Sequence, residues 1–523
     1  MANREELLVI RAARSGQASA QLALGKRYLF GGAGLPKSDT TALYWLDRAA
    51  QQNEDEAWLL IGSHIPFEAA SRVAQPAALC IWYERAFDSG IMQAGLVLAK
   101  LVLAQTENCT TDALRRKAWM ALEAVAHAGI GEAQWLMAEL IGQSNASDSN
   151  DGAAAANHAF LTPIRKLPTS GRADKAVLDW TIRAADAGVS HAQRSLADHA
   201  WDAGNHDGFL HWALPIGRQI LQQRALRPAG VGEVGANVER ADVTLLARCT
   251  QVLLARGAYE APDLEAMLEA AAHGGDPQAS LSLGLWYARM TPQGGRLGSV
   301  RGLANYRKSL RWLIFAGEHG LPGAWFAISR IYLKPEFSQR NVSDAQYYVL
   351  KAADAGHADA QFELATNAWR GRRTDLSKDI EAAYWLRKAA ASQHAEAIEL
   401  LDKVADRPTP GKWATALRQR LTRDQINTFP LLVARLELAA EFGLSRAESL
   451  LLNLQAADCG HCLLVDIRDV HPRSKRRLIL LQSNEHRHLL NRVLRLFDDV
   501  DTGIDGPEGN YRQRMYRLRM LMK

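Results

Sequence analysis

The residues with the clearest chemical potential lie near the end of the chain, in Cys459-Gly-His-Cys462, with His471 shortly after. Two thiols and an imidazole at this spacing suit a metal ion or a dithiol. A structural zinc site wants a second ligand pair at matching spacing, and none follows. A redox dithiol usually opens a helix, whereas this pair leads into the strand-like Cys462-Leu-Leu-Val-Asp-Ile467. The other cysteines, Cys80, Cys109 and Cys249, are scattered, and five in all make no disulfide framework. The expectation is no metal ligand and no cofactor.

Phosphate chemistry is the second possibility. Arg473, Lys475, Arg476 and Arg477 cluster in one short stretch, and Arg512, Arg514, Arg517 and Arg519 in another. These eight are the candidate nucleic-acid contacts, since cations bind a phosphate backbone by releasing its counterions. The same pattern also suits a solvated basic surface or one that docks on an acidic partner. Residues 407–523 hold 20 Lys+Arg and 13 Asp+Glu, a charge of +7, against −2 for the rest. Tyr511 and Tyr516 could act as nucleophiles only within a wider cage of cations. Their segment, Tyr511 to Arg519, reads equally well as a basic amphipathic helix. The Gly-rich stretches Gly31 to Gly34 and Gly230 to Gly235 lack the following Lys-Ser/Thr of a phosphate loop. No Ser/His/Asp set or carboxylate pair stands out. No catalytic residue is assigned and no enzyme is expected.

The elements that would carry these residues follow from a repeat. Eight times an aromatic or apolar residue is followed by small residues and then usually a Gly or Asn. The clearest copies start at Trp45, Trp180, Tyr348 and Trp385, the weaker ones at Trp82, Ala121, Ala266 and Trp312. Their spacings are 37, 39, 59, 86, 46, 36 and 37 residues. A period in the high thirties is that of a helical solenoid. Trp45, Ala49 and Ala50 share one helical face, so the segment is the second helix of a pair. Asn53, Gly188 and Gly356 stand where a left-handed helix terminator is wanted. The Trp residues at this period are read as core. His127, His191, His273, His319, His357 and His394, all near repeat turns, are read as helix-end or loop residues.

The pattern resembles the Sel-one-like repeat family, a relative of the tetratricopeptide repeats. The match is carried by Leu24-Gly25, Tyr28, Gly31 to Gly34, Asp39, Ala42, Trp45 and Ala49-Ala50. It recurs in Gly371, Asp379, Ala382, Trp385 and Ala389-Ala390. The resemblance covers roughly residues 4–405, about eight or nine units, with a degenerate one at His211-Trp212. Insertions fall near 142–175, 225–240 and 291–303. It implies a mainly α protein, a right-handed α-solenoid of helix pairs that serves as an adaptor or scaffold.

After Ala405 the text changes. Residues 406–422, with Pro408, Pro410 and Gly411, read as a linker. Residues 423–523 read as a basic α+β module: helices near 429–441, 446–454 and 485–497 around a hairpin of 462–467 and 477–481. This order is similar to the first half of the tyrosine recombinase (phage-type integrase) catalytic domain. Phe442-Gly-Leu-Ser-Arg-Ala-Glu448 and Pro472-Arg-Ser-Lys-Arg-Arg-Leu478 carry the likeness. Ser445 occupies the place of that family's first catalytic Arg, and no His-x-x-Arg box follows. A winged helix-turn-helix built on Leu444 to Leu452 and Tyr511 to Arg519 is the competing reading.

Composition adds bounds. Hydrophobic residues make up 48%, which argues for a packed protein. Met1 to Leu8 has no apolar signal core, and no apolar run approaches the ~18 residues of a membrane span. The expectation is a cytoplasmic, non-enzymatic scaffold that binds a protein or peptide on its repeat surface, away from membranes. The alternative is a nucleic-acid-binding regulator or mobile-element accessory factor using the basic module on DNA.

Overall fold

A computed structural model describes residues 4–31, 35–105, 111–147, 172–226, 239–297, 302–503 and 505–522. The chain divides into two units, Met1–Ala258 and Tyr259–Lys523. Each is built on a series of helices in which most pack on the next in sequence.

In the first unit the pairs are Ala18–Phe30 with Asp39–Ala50, Asp55–His64 with Pro76–Asp88, Met92–Leu103 with Asp112–His127, and Gly131–Ser147 with Arg172–Asp186. Ser190–Asp202 then packs on His206–Leu226, which carries Trp212. In the second unit Pro277–Ala288 pairs with Tyr306–Glu318, Pro322–Leu333 with Val342–Asp354, and Ala358–Gly371 with Lys378–Ala391. The fold is a mainly α solenoid of stacked pairs within each unit. Small residues permit the close crossings. A Cβ at Gly25 would lie 2.7 Å from Leu46, and one at Gly284 would lie 2.6 Å from Leu313.

The predicted terminators are present. Asn53, Gly188, Gly356 and Gln393 have φ of 64°, 87°, 99° and 61°, eight residues after Trp45, Trp180, Tyr348 and Trp385. The Ala-Ala pair supplies the acceptors: Gly356 N–H donates to Ala353 O at 3.1 Å and His357 N–H to Ala352 O at 2.9 Å. This paired geometry satisfies carbonyls that the helix end would otherwise leave bare. The unit begun at Ala266 is out of step by one residue. Its terminator is Gly275 (φ 86°), so Met267 holds the position that Trp45 holds elsewhere. A glutamine recurs as well, buried at Gln21, Gln134 and Gln361 and half-buried at Gln193. Gln21, Gln134, Gln193 and Gln361 each donate to an alanine carbonyl eight residues earlier, Ala13, Ala126, Ala185 and Ala353, at 2.9–3.1 Å.

Two expectations need refinement. Trp82 and Trp385 are buried, yet Trp45, Trp180, Trp312 and Tyr348 are only half-buried. The next residue, Leu46, Leu313, Val349 or Leu386, makes the core contact instead. The aromatic stands at the seam between pairs, where His127 meets Trp180 edge-on at 5.1 Å and His273 meets Trp312 at 4.9 Å. Among the insertions, residues 148–171, 227–238 and 298–301 lie outside the described residues, as do Gly32 to Gly34 and Cys109. The described part of the third forms a tight turn in which Met290 bridges Arg296.

His357 and His394 cap helices. Their Nδ1 atoms accept from Ala360 N–H at 3.3 Å and Ala397 N–H at 3.2 Å. The rings stack on Phe326 and Phe362. Burial pushes the His357 pKa down; nearby Asp359 opposes this and Arg330 adds to it. A depressed imidazole pKa means the folded state resists protonation. The cap's stabilisation is full above the ordinary histidine value of about 6.5 and is lost as pH falls below it. Thermal melts between pH 7 and 5 should show a loss of about 1 kcal/mol that His357→Asn, which caps without titrating, removes. Equal pH slopes in the two proteins would contradict this role.

The end of the second unit carries the sheet. The stretch 406–422 holds the helix Lys412–Arg418, with Ala414 and Leu417 buried. Helices Arg423–Thr428, Pro430–Phe442, Arg446–Leu451 and Leu454–Ala457 precede strands β1 (Cys462–Val465) and β2 (Arg477–Leu480). Helices Asn484–Phe497 and Tyr511–Met522 follow. The strands are antiparallel, with Cys462 opposite Leu480 and Val465 opposite Arg477. Alternation along a strand sends successive side chains to opposite faces, and here both faces are buried. Leu463, Val465, Ile479 and Leu481 pack with Phe442, Leu490 and Phe497. Cys462, Leu478 and Leu480 join the core of Trp385, Leu386 and Leu401. The hairpin is therefore the far wall of the last repeat.

Candidate functional site

The basic stretch before β2 splits into two kinds of cation. Arg476 turns inward: Nε and Nη2 donate to the two carboxylate oxygens of Asp379 at 2.9 and 2.7 Å. Nη2 also donates to Leu376 O at 2.9 Å, and Nη1 reaches Asp466 at 3.3 Å. Asp466 is held at a pKa of about 2, chiefly by the hydrogen bond from Arg468. Arg477 donates to both carboxylate oxygens of Glu448, at 3.1 and 3.0 Å, and to Gly443 O at 3.2 Å. Burial would raise the Glu448 pKa, yet Arg477 and the Ser445 N–H together hold it below the ordinary value. Two bidentate guanidinium–carboxylate pairs thus fasten the hairpin, one to the last repeat and one to the helix Arg446–Leu451.

The last helix divides likewise. Arg514 is buried, donating to Gly509 O and Leu450 O at 2.8 Å each and to Thr502 O at 2.5 Å. Arg517 donates to Glu508 O at 2.8 Å. Arg473, Lys475, Arg512 and Arg519 are exposed. Tyr511 is half-buried against Leu518 and Leu521, whereas Tyr516 is exposed. Ser445 caps its helix reciprocally with Glu448, and the adjacent Arg446 lies over the Trp413 ring at 5.7 Å. The structure does not gather these tyrosines and cations into one cage.

Sequence reasoning missed the acidic partners Asp379, Asp466, Glu448 and Glu508. Glu448 had a signal, three residues after Ser445 as in a capping box. Asp379 had none, being 97 residues from Arg476.

A different surface recurs with the repeat. The residue before the seam aromatic points outward, and at several units it is apolar. In the first unit Tyr44 is 52% exposed, Ile81 43% and Met120 68%. In the second unit Tyr347 is 59% exposed and Tyr384 37%, with Leu350 beside Tyr347 also exposed. Cations stand over the rings, Arg48 at 5.2 Å from Tyr44 and Lys388 at 4.5 Å from Tyr384. Single exposed apolar residues are ordinary, but repetition at one register makes a row. Among the described residues no group of side chains could hold a metal, and no helix is long and apolar enough to cross a membrane.

The family profile described as the Sel1 repeat matches residues 18–54, 294–321, 326–357 and 358–394. The chain carries Sel1 repeats. Its matched segments include the terminators Asn53, Gly320, Gly356 and Gln393 and the capping residue His394. Solved structures with which it aligns include a protective antigen of uropathogenic Escherichia coli strains that displays an SLR fold. That pair is 19% identical over 99% of this chain and 94% of that one, with a TM-score of 0.35. A Sel1 repeat protein from Oxalobacter formigenes is 20% identical over 77% of this chain and 90% of its own, with a TM-score of 0.23. No curated protein matches.

Proposed function

We propose that the chain is a non-enzymatic, cytoplasmic adaptor that binds protein partners along the outward-facing residues of the second helices within each unit. The observation that carries this reading is the recurrence of exposed apolar residues at one repeat position, Tyr44, Ile81 and Met120 in one unit and Tyr347 and Tyr384 in the other. Amphipathic aromatics with a cation alongside are what interface anchors are made of.

The test is affinity capture from the native host with the full chain, with and without nuclease, against Tyr347→Ser/Tyr384→Ser. A partner retained after nuclease, and bound at least about tenfold more weakly by the double variant, supports the reading. Equal binding by the variant would reject the row as the site. The second reading is nucleic-acid contact, and the observation favouring it is that Arg473, Lys475, Arg512 and Arg519 are exposed. It predicts capture lost on nuclease treatment and DNA affinity that falls steeply with salt.

A further inference from the structure

Cys459-Gly-His-Cys462 leads into a strand, but its geometry is that of a closed turn. Cys459 N–H donates to Cys462 O at 3.1 Å, and Asp458 bridges Leu463 in antiparallel fashion. The two ends of such a four-residue turn lie within about 7 Å at Cα, a span that overlaps the roughly 4.4–6.8 Å of a disulfide. Gly460 takes up the reversal with φ 80°. Arg487 clamps the turn from outside, with Nη1 on Asp458 at 2.7 Å and Nη2 on Gly460 O. The last repeat holds it from the other side: His461 Nε2 lies 3.0 Å from Ile380 O and Tyr384 meets the His461 ring at 5.4 Å.

The two sulfurs differ in the way a redox pair requires. Cys462 belongs to the buried core of the last repeat, and Cys459 packs against that same cluster, so both side chains lie on one side of the turn. Cys459 is partly exposed and Cys462 is fully buried. The hydrogen bond from Cys462 pulls the Cys459 pKa down, with burial opposing and the Arg476 charge assisting. The same contact and burial push Cys462 up. By contrast, burial alone pushes Cys249 up to about 12. Among the described residues this cluster offers no set of three metal ligands.

We propose that Cys459 and Cys462 form a reversible dithiol–disulfide couple that reacts with small-molecule disulfides of the glutathione type. The Cys459 thiolate attacks one sulfur of the small disulfide, forming a mixed disulfide and releasing one small thiolate. That thiolate takes the Cys462 proton. His461 Nε2 lies 3.5 Å from Cys462 Sγ but is not the base, because it carries the hydrogen directed at the Ile380 carbonyl and so can only donate to the sulfur. The Cys462 sulfur then attacks Cys459 Sγ and expels the second small thiolate, which takes up from water the proton that Cys459 released on ionising. Two protein thiols are oxidised and one small disulfide is reduced to two thiols. The second step is fast because the turn already holds both sulfurs together.

The experiment incubates the full chain with excess glutathione disulfide, blocks remaining thiols with an alkylating agent and maps peptides by mass. The expected result is a Cys459–Cys462 peptide lighter by two hydrogens and unalkylated, restored by a dithiol reductant. Cys80 and Cys249 stay reduced and alkylate only after denaturation. Cys462→Ser should accumulate glutathione on Cys459, while Cys459→Ser should leave Cys462 a free thiol. Cys462→Ala repeats the trapping if the serine disturbs the core, with melting curves to confirm folding. Two free thiols in the wild-type peptide after oxidation, or no adduct in folded Cys462 variants, would overturn the proposal.

Discussion

Arg435→Ala lowers the stability of the second unit by about 3–5 kcal/mol, the largest effect expected of a single substitution in this chain. Arg435 is 1% exposed in the helix Pro430–Phe442, otherwise lined with leucine, valine and alanine. Its Nε and Nη2 meet Glu508 at 2.6 and 2.7 Å. Nη1 donates to Leu452 O at 2.9 Å and Ser449 O at 3.2 Å, and the group lies 5.0 Å from the Phe497 ring centre. Removing it leaves the buried Glu508 carboxylate with only the longer 3.5 Å contact to Arg514 Nη1 and takes the donor from two carbonyls at once. The cost comes from the groups left behind, not from the pair's own net worth. Arg435→Met/Glu508→Leu, which deletes both charges and keeps volume, should therefore recover most of the loss. Urea unfolding of the two variants decides it; a double variant no more stable than Arg435→Ala would show that packing, not charge, is what the site supplies.

Truncation after Asp406 destabilises the last repeat by about 5 kcal/mol or more. Cys462, Leu478 and Leu480 share a core with Trp385, Leu386 and Leu401. Each such side chain contributes about 1.5–3 kcal/mol through burial. Asp379 would also lose the guanidinium of Arg476, and β2 would no longer pair with Asp406, which exchanges hydrogen bonds with Leu478 and Leu480 at 2.8 and 3.0 Å. A terminal repeat stripped of its cover exposes apolar surface and associates. Amide exchange across residues 378–405 should rise sharply in the truncated chain, with aggregation at lower temperature. Unchanged protection there would show that the repeats hold themselves. Partner mapping is better done with point variants than with deletion for the same reason.

Much of the helical framework was legible because its determinants are local. The left-handed terminator needs a Gly or Asn eight residues after the aromatic, and Asn53, Gly188 and Gly356 met that need in plain text. The one-residue slip at Ala266 arose because Ala266 and Met267 are both apolar, so only backbone geometry separates them. The burial of the aromatics was overestimated. A period marks which residues are equivalent, but not whether the equivalent place is core or seam, and Trp45 and Trp180 sit at the seam.

The candidate site was legible only in part, and the reason is charge compensation. Arg473, Lys475, Arg476 and Arg477 read as one basic cluster because no acid lies among them or within three residues on either side. Folding brings Asp379 to Arg476 from 97 positions away and Glu448 to Arg477 from 29. Arg514 similarly disappears among backbone carbonyls. Arg473, Lys475, Arg512 and Arg519 keep the exposure the sequence suggested. The turn of Cys459 and Cys462 shows the converse case, in which spacing alone argued against chemistry. Their contact depends on a reversal at Gly460 and on Arg487, neither of which is visible in the spacing.

By itself the sequence determined the repeat, its period, the helix ends and the small residues that let helices cross, since each depends on residues within a few positions of one another. The tertiary structure alone decided which cations face solvent, that the hairpin completes the last repeat, and that two cysteines of unequal exposure meet. Those outcomes depend on burial and pairing between segments far apart in the chain, and no local pattern encodes which distant carboxylate or apolar face will arrive.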